Sequence, residues 1–265
     1  MKKNQKDIKK IIRDGYAKAL SQSASCCPSN SCCLAPAKAK EVSKSIGYSD
    51  SEMSAVPEGA NLGFGCGNPV ALASLREGDV VLDLGSGAGF DAFLSAKRVG
   101  RSGRVIGIDM TPEMIAKAKE NAIKGKYTNV EFRLGEIENL PIEDDSIDVL
   151  ISNCVINLSP DKKRVFEEAF RVLKSGGRLM VSDLVLVKDL PKAIKESIEA
   201  YVGCLAGASK KAEYLKYIKA SGFKEVKIIS QSNYPVDAMF SELKGAGDAV
   251  VSIKVSAVKN KIVEV

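Results

Sequence analysis

Histidine and tryptophan are both absent from this chain of 265 residues. Without an imidazole, the sequence excludes the commonest general base, the Cys–His and Ser–His nucleophile pairs, and any zinc site that uses histidine. Without tryptophan, and with aromatic residues at only 6%, a surface that stacks nucleic-acid bases is disfavoured. Long apolar runs are lacking as well, because charge or glycine interrupts each of them, so we expect no membrane span.

The charged residues give a formal net charge of +6, but lysine and arginine alternate with acidic residues along the chain. No basic stripe is visible, so we expect a solvated surface and no nucleic-acid partner. The basic amino terminus, MKKNQKDIKKIIRDGY, is not followed by an apolar segment, which argues against a secretory signal and favours a cytoplasmic protein. In that compartment, seven cysteines indicate thiol chemistry or metal binding rather than a disulfide framework.

The pattern of apolar residues divides the chain into three regions. Residues 1–60 read as a helical, cysteine-rich segment. Residues 61–187 alternate strand and helix, which predicts an α/β fold with a doubly wound, Rossmann-like and mostly parallel sheet. Residues 188–265 are predicted to form a substrate-binding insertion, followed by two strands that close the sheet as an antiparallel pair.

Local signals predict where the flanking helices begin and end. Apolar spacing predicts a helix over residues 8–20, and the polar stretch over residues 21–40 is predicted to be a loop. Ser49 and Glu52 have the spacing of a capping box. Ser159 is predicted to cap a later helix that continues to the glycine pair at 176 and 177.

A glycine-rich turn follows the first predicted strand, in the string VLDLGSGAGFD. Gly85, Gly87 and Gly89 permit a tight turn and let a ligand approach the backbone closely. Nicotinamide-binding proteins use a similar turn, but the spacing here is G-x-G-x-G rather than G-x-G-x-x-G. Asp109 ends the next strand, where a carboxylate accepts hydrogen bonds from ribose hydroxyls in nucleotide-binding folds.

This arrangement resembles the class I S-adenosylmethionine methyltransferases. The resemblance implies that residues after the third strand contact the adenine, and that Asn153 approaches the methionine part of the cofactor. The cofactor-binding residues predicted in this way are Asp83, Gly85, Ser86, Gly87, Gly89, Asp109, Met110, Glu136, Ile137 and Asn153.

Three cysteines are expected near the same edge of the sheet. Cys154 directly follows the fourth predicted strand, and ligands in open α/β sheets bind beyond the carboxyl ends of the strands. Cys66 lies between two glycines, on what we expect to be a flexible turn outside the core. Cys204 lies in the inserted segment. A single buried cysteine is more often a small core residue than a ligand, so it is the grouping that favours a thiol site.

The longest specific strings are GFGCGNPVALA, GIDMTPEMI, FRLGEIENLP, SNCVINLSPDKKRVF and FRVLKSGGRLMVSD. Together with the glycine turn they resemble arsenite S-adenosylmethionine methyltransferases, over residues 46–223. The resemblance implies an enzyme that methylates arsenite and methylarsenite, for detoxification of arsenic. It also implies that Cys66, Cys154 and Cys204 are the catalytic thiols. Cys154 and Cys204 would hold arsenic(III), and Cys66 would complete the site.

Two cysteine pairs precede this region, Cys26–Cys27 and Cys32–Cys33. A pair before the GYS segment also resembles a family feature, and it implies that Cys26 and Cys27 capture the metalloid, in keeping with the affinity of thiolates for soft ions. Zinc binding by the four cysteines and an accidental cluster are the alternatives. The role of Cys32 and Cys33 is left open.

A thiol-centred mechanism accommodates the missing histidine, because an arsenic lone pair needs no base to remove a proton. Methyl transfer oxidises arsenic to the pentavalent state, so two electrons must return it to the trivalent state. The resemblance implies that a cysteine disulfide forms and that an external reductant of the thioredoxin or glutathione type reduces it. We expect Cys66 to be a disulfide partner because its glycine neighbours permit movement.

Two other functions are compatible with the residues. One is a methyltransferase that acts on an organic carbon, nitrogen or oxygen acceptor, with the cysteines as lining. The other is a metalloid or metal buffer that uses the amino-terminal thiols. For the arsenite enzyme we expect a monomer without nucleic-acid or membrane partners.

Overall fold

The structure is a computed structural model that describes residues 5–21, 36–71, 73–234, 236 and 247–260. Seven strands form one sheet in the order β3-β2-β1-β4-β5-β7-β6. The strands are β1 (Val80–Leu84), β2 (Arg104–Asp109), β3 (Val130–Leu134), β4 (Ile147–Asn153), β5 (Leu173–Leu186), β6 (Lys224–Asn233) and β7 (Val250–Val258). The first five run parallel, and β7 lies antiparallel between β5 and β6. This confirms the predicted doubly wound, mostly parallel α/β fold.

The helices described precede the sheet, connect its strands or fill the segment after β5. They are α1 (Gln5–Ser21), α2 (Pro36–Ser45), α3 (Asp50–Ser54), α4 (Phe90–Val99), α5 (Pro112–Lys124), α6 (Lys162–Val172), α7 (Lys192–Glu196), α8 (Ile198–Val202) and α9 (Lys211–Ala220). No helix among these is long and apolar enough to cross a membrane.

The central strands are apolar on both faces because helices cover both sides of the sheet. Within β1, Val81 belongs to the buried layer that includes Phe93 of α4, whereas its neighbour Leu82 belongs to the layer that includes Phe166 of α6. Leu82 lies in register with Ile106 on β2 and with Leu150 on β4. This alternation fixes the register, because a slip of one residue would exchange the two layers.

Three predicted boundaries differ from the structure. Residues 36–40 are helical in α2, although they fall within the predicted loop, so that part of the prediction is wrong. The cap of α6 is Asp161, whose side chain accepts a hydrogen bond from the Arg164 N–H, and not Ser159. The same helix ends at Val172 rather than at the glycine pair, because pairing with β4 begins at Leu173. The capping box of Ser49 and Glu52 is confirmed.

Helix α1 covers the sheet edge at which the cofactor turn was predicted. It packs against both α5 and α8, and its residue Ile12 is fully buried. Lys9 pairs with Glu136 and Glu138, which follow β3. The amino-terminal helix thus joins the region after the third strand to the segment that carries Cys204.

Candidate active site

A cavity of about 420 Å³ lies at the carboxyl ends of β1, β2 and β4, beneath α1. This volume is in the range of sites for small molecules and cofactors. Six of the ten predicted cofactor residues line it: Gly85, Gly87, Asp109, Met110, Ile137 and Asn153. Two of the three predicted thiols, Cys154 and Cys204, line the same cavity.

The glycine turn leaves one end of the cavity open. Gly85 has φ +67°, and a side chain there would come within 2.5 Å of Val155. Gly87 has φ +51°, and a Cβ atom there would meet nothing within 4 Å. Gly85 is therefore required by close packing, whereas Gly87 leaves space into which a ligand fits.

Asp109 holds the turn from the end of β2. Its carboxylate accepts hydrogen bonds from the N–H groups of Gly87, at 3.0 Å, and Thr111, at 2.9 Å. Burial raises the pKa of this carboxyl, and the backbone hydrogen bonds oppose the rise. Each oxygen keeps a further lone pair, so the carboxylate has capacity for the hydroxyl donors of a ribose.

The side chains of Glu136 and Ile137 lie on opposite sides of the loop after β3. Ile137 is buried, and it gives the cavity an apolar lining together with Met110. The side chain of Glu136 is 53% exposed, lies outside the cavity and pairs with Lys9. Glu138, which the sequence did not single out, lines the cavity instead.

Asp83 in β1, and Ser86 and Gly89 in the turn itself, do not line the cavity. Gly89 begins α4 in the left-handed region, at φ +98°, and a side chain there would collide with Phe93. Asp83 is buried in β1, and burial, with the charge of Asp91 as a second cause, raises its pKa well above the usual value. These residues shape the turn from inside the fold.

Asn153 ends β4 and ties the turn region to the Cys66 loop. Its side-chain oxygen accepts a hydrogen bond from the Cys66 N–H at 3.0 Å. Its Nδ2 lies within hydrogen-bonding distance of the Gly67 carbonyl, the Asp91 carboxylate and the Tyr48 hydroxyl. The amide therefore connects three segments that are distant in sequence.

All three predicted thiols are buried and free of disulfides. The Sγ atoms of Cys66 and Cys154 and a carboxylate oxygen of Asp183 lie within 4.8 Å of one another. The Cys204 thiol donates a hydrogen bond to the Cys154 carbonyl, with 2.7 Å between sulfur and oxygen, and its side chain also interacts with that of Cys154. The structure thus brings together residues from three separate segments.

Cys154 and Cys204 both have left-handed backbones, at φ +59° and φ +63°. This region is uncommon for residues other than glycine, costs about 1–2 kcal/mol, and clusters at functional sites. Both of these cysteines line the same cavity.

The resting thiols favour the protonated form. Burial raises the pKa of Cys66. The hydrogen bond that the Cys204 side chain donates to the Cys154 side chain raises the pKa of Cys204 well above its usual value, and burial adds to this. For Cys154, the hydrogen bond with Cys204 lowers the pKa, but the hydrogen bond with Cys66 and burial outweigh it, so that the pKa is raised well above its usual value.

The prediction that Cys66 lies on a flexible turn outside the core is wrong. Cys66 is buried, its N–H is held by Asn153, and its carbonyl accepts a hydrogen bond from the Ser252 hydroxyl at 2.6 Å. A side chain at Gly67 would overlap Ser182. A side chain at Gly65 would come within 2.8 Å of Asn153, so the two flanking glycines serve close packing against β4 and β5.

Three residues around the thiols were not found from the sequence. Asp183 and Lys162 lie beside the thiol cluster, where Lys162 favours the charged form of Asp183. The Tyr16 side chain on α1 interacts with that of Cys204 and donates a hydrogen bond to the Val202 carbonyl. An aspartate within the apolar run LMVSDLVLV was a visible signal, whereas nothing local marked Tyr16 or Lys162.

The two amino-terminal cysteine pairs, Cys26–Cys27 and Cys32–Cys33, lie outside the described residues. Their predicted roles in metalloid capture or zinc binding stay predictions.

Comparison with known proteins gives a methyltransferase-domain family match over residues 75–222. The chain is similar to the arsenite methyltransferase of Halobacterium salinarum, with 44% identity over 230 residues, which cover 84% of this chain and 59% of that protein. It is also similar to the arsenite methyltransferase of Aquipseudomonas alcaligenes, with 38% identity over 197 residues, 71% of this chain and 56% of that protein. The chain thus spans somewhat more than half the length of these two relatives.

A solved structure, an arsenic (III) S-adenosylmethionine methyltransferase from Chlamydomonas reinhardtii, superposes with a TM-score of 0.63 at 31% identity. The match covers 84% of this chain and 74% of the other.

Proposed function

This chain belongs to the arsenite methyltransferase family of methyltransferase-domain proteins, and we propose that it transfers methyl groups from S-adenosylmethionine to thiol-bound trivalent arsenic. Arsenite is the first substrate and methylarsenite the next. One observation carries the proposal: three buried thiols from distant segments lie together, and two of them, Cys154 and Cys204, line the cavity that begins at the glycine turn.

The cavity residues fit the methyl donor. Space at Gly87, the carboxylate of Asp109 and the apolar pair Met110 and Ile137 match an amino-acid tail, a ribose and an adenine. S-adenosylmethionine supplies an electrophilic methyl group on a positively charged sulfur. The residues of this chain hold the ribose through Asp109, and helix α1 excludes water from the opening.

The thiols supply the acceptor side without a base. Arsenite carries three hydroxyl groups, and each exchange with a thiol releases one water molecule, so three thiols bind it with no net proton transfer to the protein. This suits buried thiols whose raised pKa values keep them protonated. The arsenic lone pair is then free to attack, which agrees with a chain that contains no histidine. Fixed positions of this kind supply several kcal/mol of the barrier.

Reduction of arsenic follows methyl transfer. Two thiolates give up two electrons and form a disulfide, while pentavalent arsenic returns to the trivalent state with its new methyl group. Cys66 and Cys154 are the proposed pair, because their sulfur atoms lie within 4.8 Å of each other, rather than because the Cys66 turn moves. An external thiol reductant of the thioredoxin or glutathione type then restores both thiols.

The division of labour among the thiols is open to test. Cys66→Ser should reduce the first methylation at least tenfold and the second much less, since methylarsenite needs two thiol ligands. Separation of the methylated arsenic species over time measures both steps. Equal loss of both steps would contradict the assignment of Cys66 as the third ligand.

The decisive assay uses purified, reduced protein with labelled S-adenosylmethionine, arsenite and a thiol reductant, and it counts label in separated arsenic species. Methylated arsenic should form with the wild type and not with Cys154→Ser. Binding of S-adenosylhomocysteine to both proteins serves as the control for an intact fold. If the nucleoside binds but no methylarsenic forms, the arsenic proposal fails, and organic acceptors become the alternative.

A further inference from the structure

Asp183 is a buried carboxylate that the proposed methyl transfer does not use. It lies on β5, fully buried, with a carboxylate oxygen within 4.8 Å of both the Cys66 and the Cys154 sulfur atoms. Among the described residues, this trio alone groups three potential metal-ligand atoms so closely.

The carboxylate is held in a fixed orientation. Its Oδ1 accepts hydrogen bonds from the Asn157 Nδ2 at 2.7 Å and from the Leu184 N–H at 2.9 Å. The Tyr214 hydroxyl donates to Oδ2 at 3.0 Å. Each oxygen has two acceptor positions, so Oδ2 keeps one for a cation. Hydrogen-bonded carboxylates of this kind are typical of ligands that are oriented before a metal binds.

We propose that Cys66, Cys154 and Asp183 form a binding site for the zinc ion, which competes with arsenite for the two shared thiols. Zinc takes thiolate sulfur at about 2.3 Å and carboxylate oxygen at about 2.0–2.2 Å, in a tetrahedron. Ligand atoms around such an ion lie roughly 3.5–3.8 Å apart. Contacts within 4.8 Å therefore need only a small closure, and water takes the fourth position.

The charge balance favours this ion. Two thiols, and Asp183 at a pH where it is protonated, release their protons to solvent on binding, so two thiolates and one carboxylate surround a doubly charged cation and leave one net negative charge. Lys162 is half-buried nearby, and its ammonium group favours the charged form of Asp183. The lysine therefore offsets part of the remaining charge.

Arsenite and zinc differ in the third protein ligand. Under the proposed function arsenic takes Cys204 and leaves Asp183 aside, because trivalent arsenic prefers three sulfur ligands. Zinc takes Asp183 and leaves Cys204 aside, since Cys204 falls outside the group within 4.8 Å. Although both sites share Cys66 and Cys154, a substitution of Asp183 should therefore weaken only zinc binding, and a substitution of Cys204 only arsenite binding.

The experiment measures both ligands on the same proteins, in a background where Cys26, Cys27, Cys32 and Cys33 are serine. Zinc affinity is obtained by competition with a chromophoric chelator, and arsenite binding by the ultraviolet absorption of arsenic–thiolate bonds. Asp183→Asn should weaken zinc at least tenfold and change arsenite affinity less than threefold. Cys204→Ser should do the reverse.

Each outcome decides the proposal. Unchanged zinc affinity in Asp183→Asn, loss of zinc in Cys204→Ser, or zinc that binds only when the four amino-terminal cysteines are present would overturn it. The metal site rests on its own donor atoms and not on the methylation reaction. If arsenite fails to bind the wild type while the zinc pattern holds, the proposed function fails and the metal site stands.

A second measurement keeps all the proposed zinc ligands, so its result does not depend on whether a ligand variant folds. X-ray absorption of zinc bound to the otherwise wild-type background should give two sulfur and two oxygen ligands. Cobalt(II) used as a probe should show the intense visible bands of a tetrahedral ion. Three or four sulfur ligands, or an octahedral cobalt spectrum, would contradict the assignment.

Discussion

The two ends of the cavity are built in different ways. The cofactor end has a continuous stretch at its centre, in which β1 runs into the glycine turn, and residues at the ends of β2 and β3 complete it, namely Asp109, Met110 and Ile137. At the thiol end, Cys66 comes from the loop before β1, Cys154 directly follows β4, and Cys204 lies in the segment after β5. A local motif therefore marks the first end, although the fold completes it, whereas the second end depends on the whole fold.

The backbone shows the same contrast. At the cofactor end, left-handed conformations fall on glycines such as Gly85 and Gly87, where they cost little. At the thiol end they fall on Cys154 and Cys204, where they carry strain. The surrounding structure maintains that strain, and under the proposed function a sulfur atom is needed at both positions.

The largest expected effect is a loss of methylation caused by a substitution at the thiol end that leaves the cofactor end intact. Cys204→Ser should reduce arsenite methylation at least a hundredfold at both steps, because it removes a sulfur ligand. It should leave S-adenosylhomocysteine affinity within about twofold, since the turn and Asp109 are untouched. Isothermal titration with the nucleoside and the labelled methyl assay measure both. A parallel loss of nucleoside binding would show that the two ends are not separable.

Gly87→Ala is the corresponding substitution at the cofactor end. Its new methyl group would point into the open space of the cavity, so nucleoside affinity should fall roughly tenfold while arsenite absorption stays unchanged. The left-handed backbone adds about 1–2 kcal/mol of strain. Gly78→Ala is a matched control, because Gly78 also has positive φ, at +88°, but lies away from the cavity. Similar nucleoside affinities in both variants would contradict the role of Gly87.

The buried carboxylate beneath the thiols should give a pH-dependent stability. Burial raises the pKa of Asp183 to about 7, against 3.8 for a free aspartate. Between these values the folded protein holds a proton that the unfolded chain has lost, so stability is greatest below about pH 4 and declines as pH rises towards 7.

Asp183→Asn removes that contribution. The difference in unfolding free energy between pH 4.5 and pH 7 should shrink by about 1 kcal/mol for each pH unit. Denaturant unfolding at the two pH values measures it. Asp91, whose pKa burial raises to about 6, contributes with the same sign in both proteins and cancels in the comparison. An unchanged slope would mean that Asp183 is ionised in the folded protein across this range.

The smallest expected effect concerns α1, which spans both ends. Tyr16→Phe keeps the ring contact with Phe64, at 5.4 Å between centroids, but removes the hydroxyl that reaches Cys204 and Val202. One hydrogen bond contributes about 0.5–1.5 kcal/mol, so arsenite affinity should fall roughly two- to tenfold. Tyr217→Phe, which loses only a hydrogen bond to Glu213, should leave arsenite affinity unchanged. Equal effects of both substitutions would remove Tyr16 from the thiol site.

Much of the molecule was predictable from local patterns. Alternating strands and helices predicted the doubly wound sheet, and the serine and glutamate of the capping box predicted where α3 begins. The exact ends of α6 were not predictable, because strand pairing at Leu173 overrides the helical pattern. Tertiary pairing competes with local preference, and the sequence does not show its strength.

By itself, the sequence determined the sheet and the glycine turn, because each depends on residue types at short spacing, and its longer strings predicted the thiol roles of Cys66, Cys154 and Cys204. Only the tertiary structure decided that Cys66 is buried and fixed, that Glu136 turns away to Lys9, and that Asp183 and Tyr16 stand beside the thiols. These contacts join residues from distant segments. These contacts depend on how the layers pack, so the spacing of residues within a single segment cannot predict them.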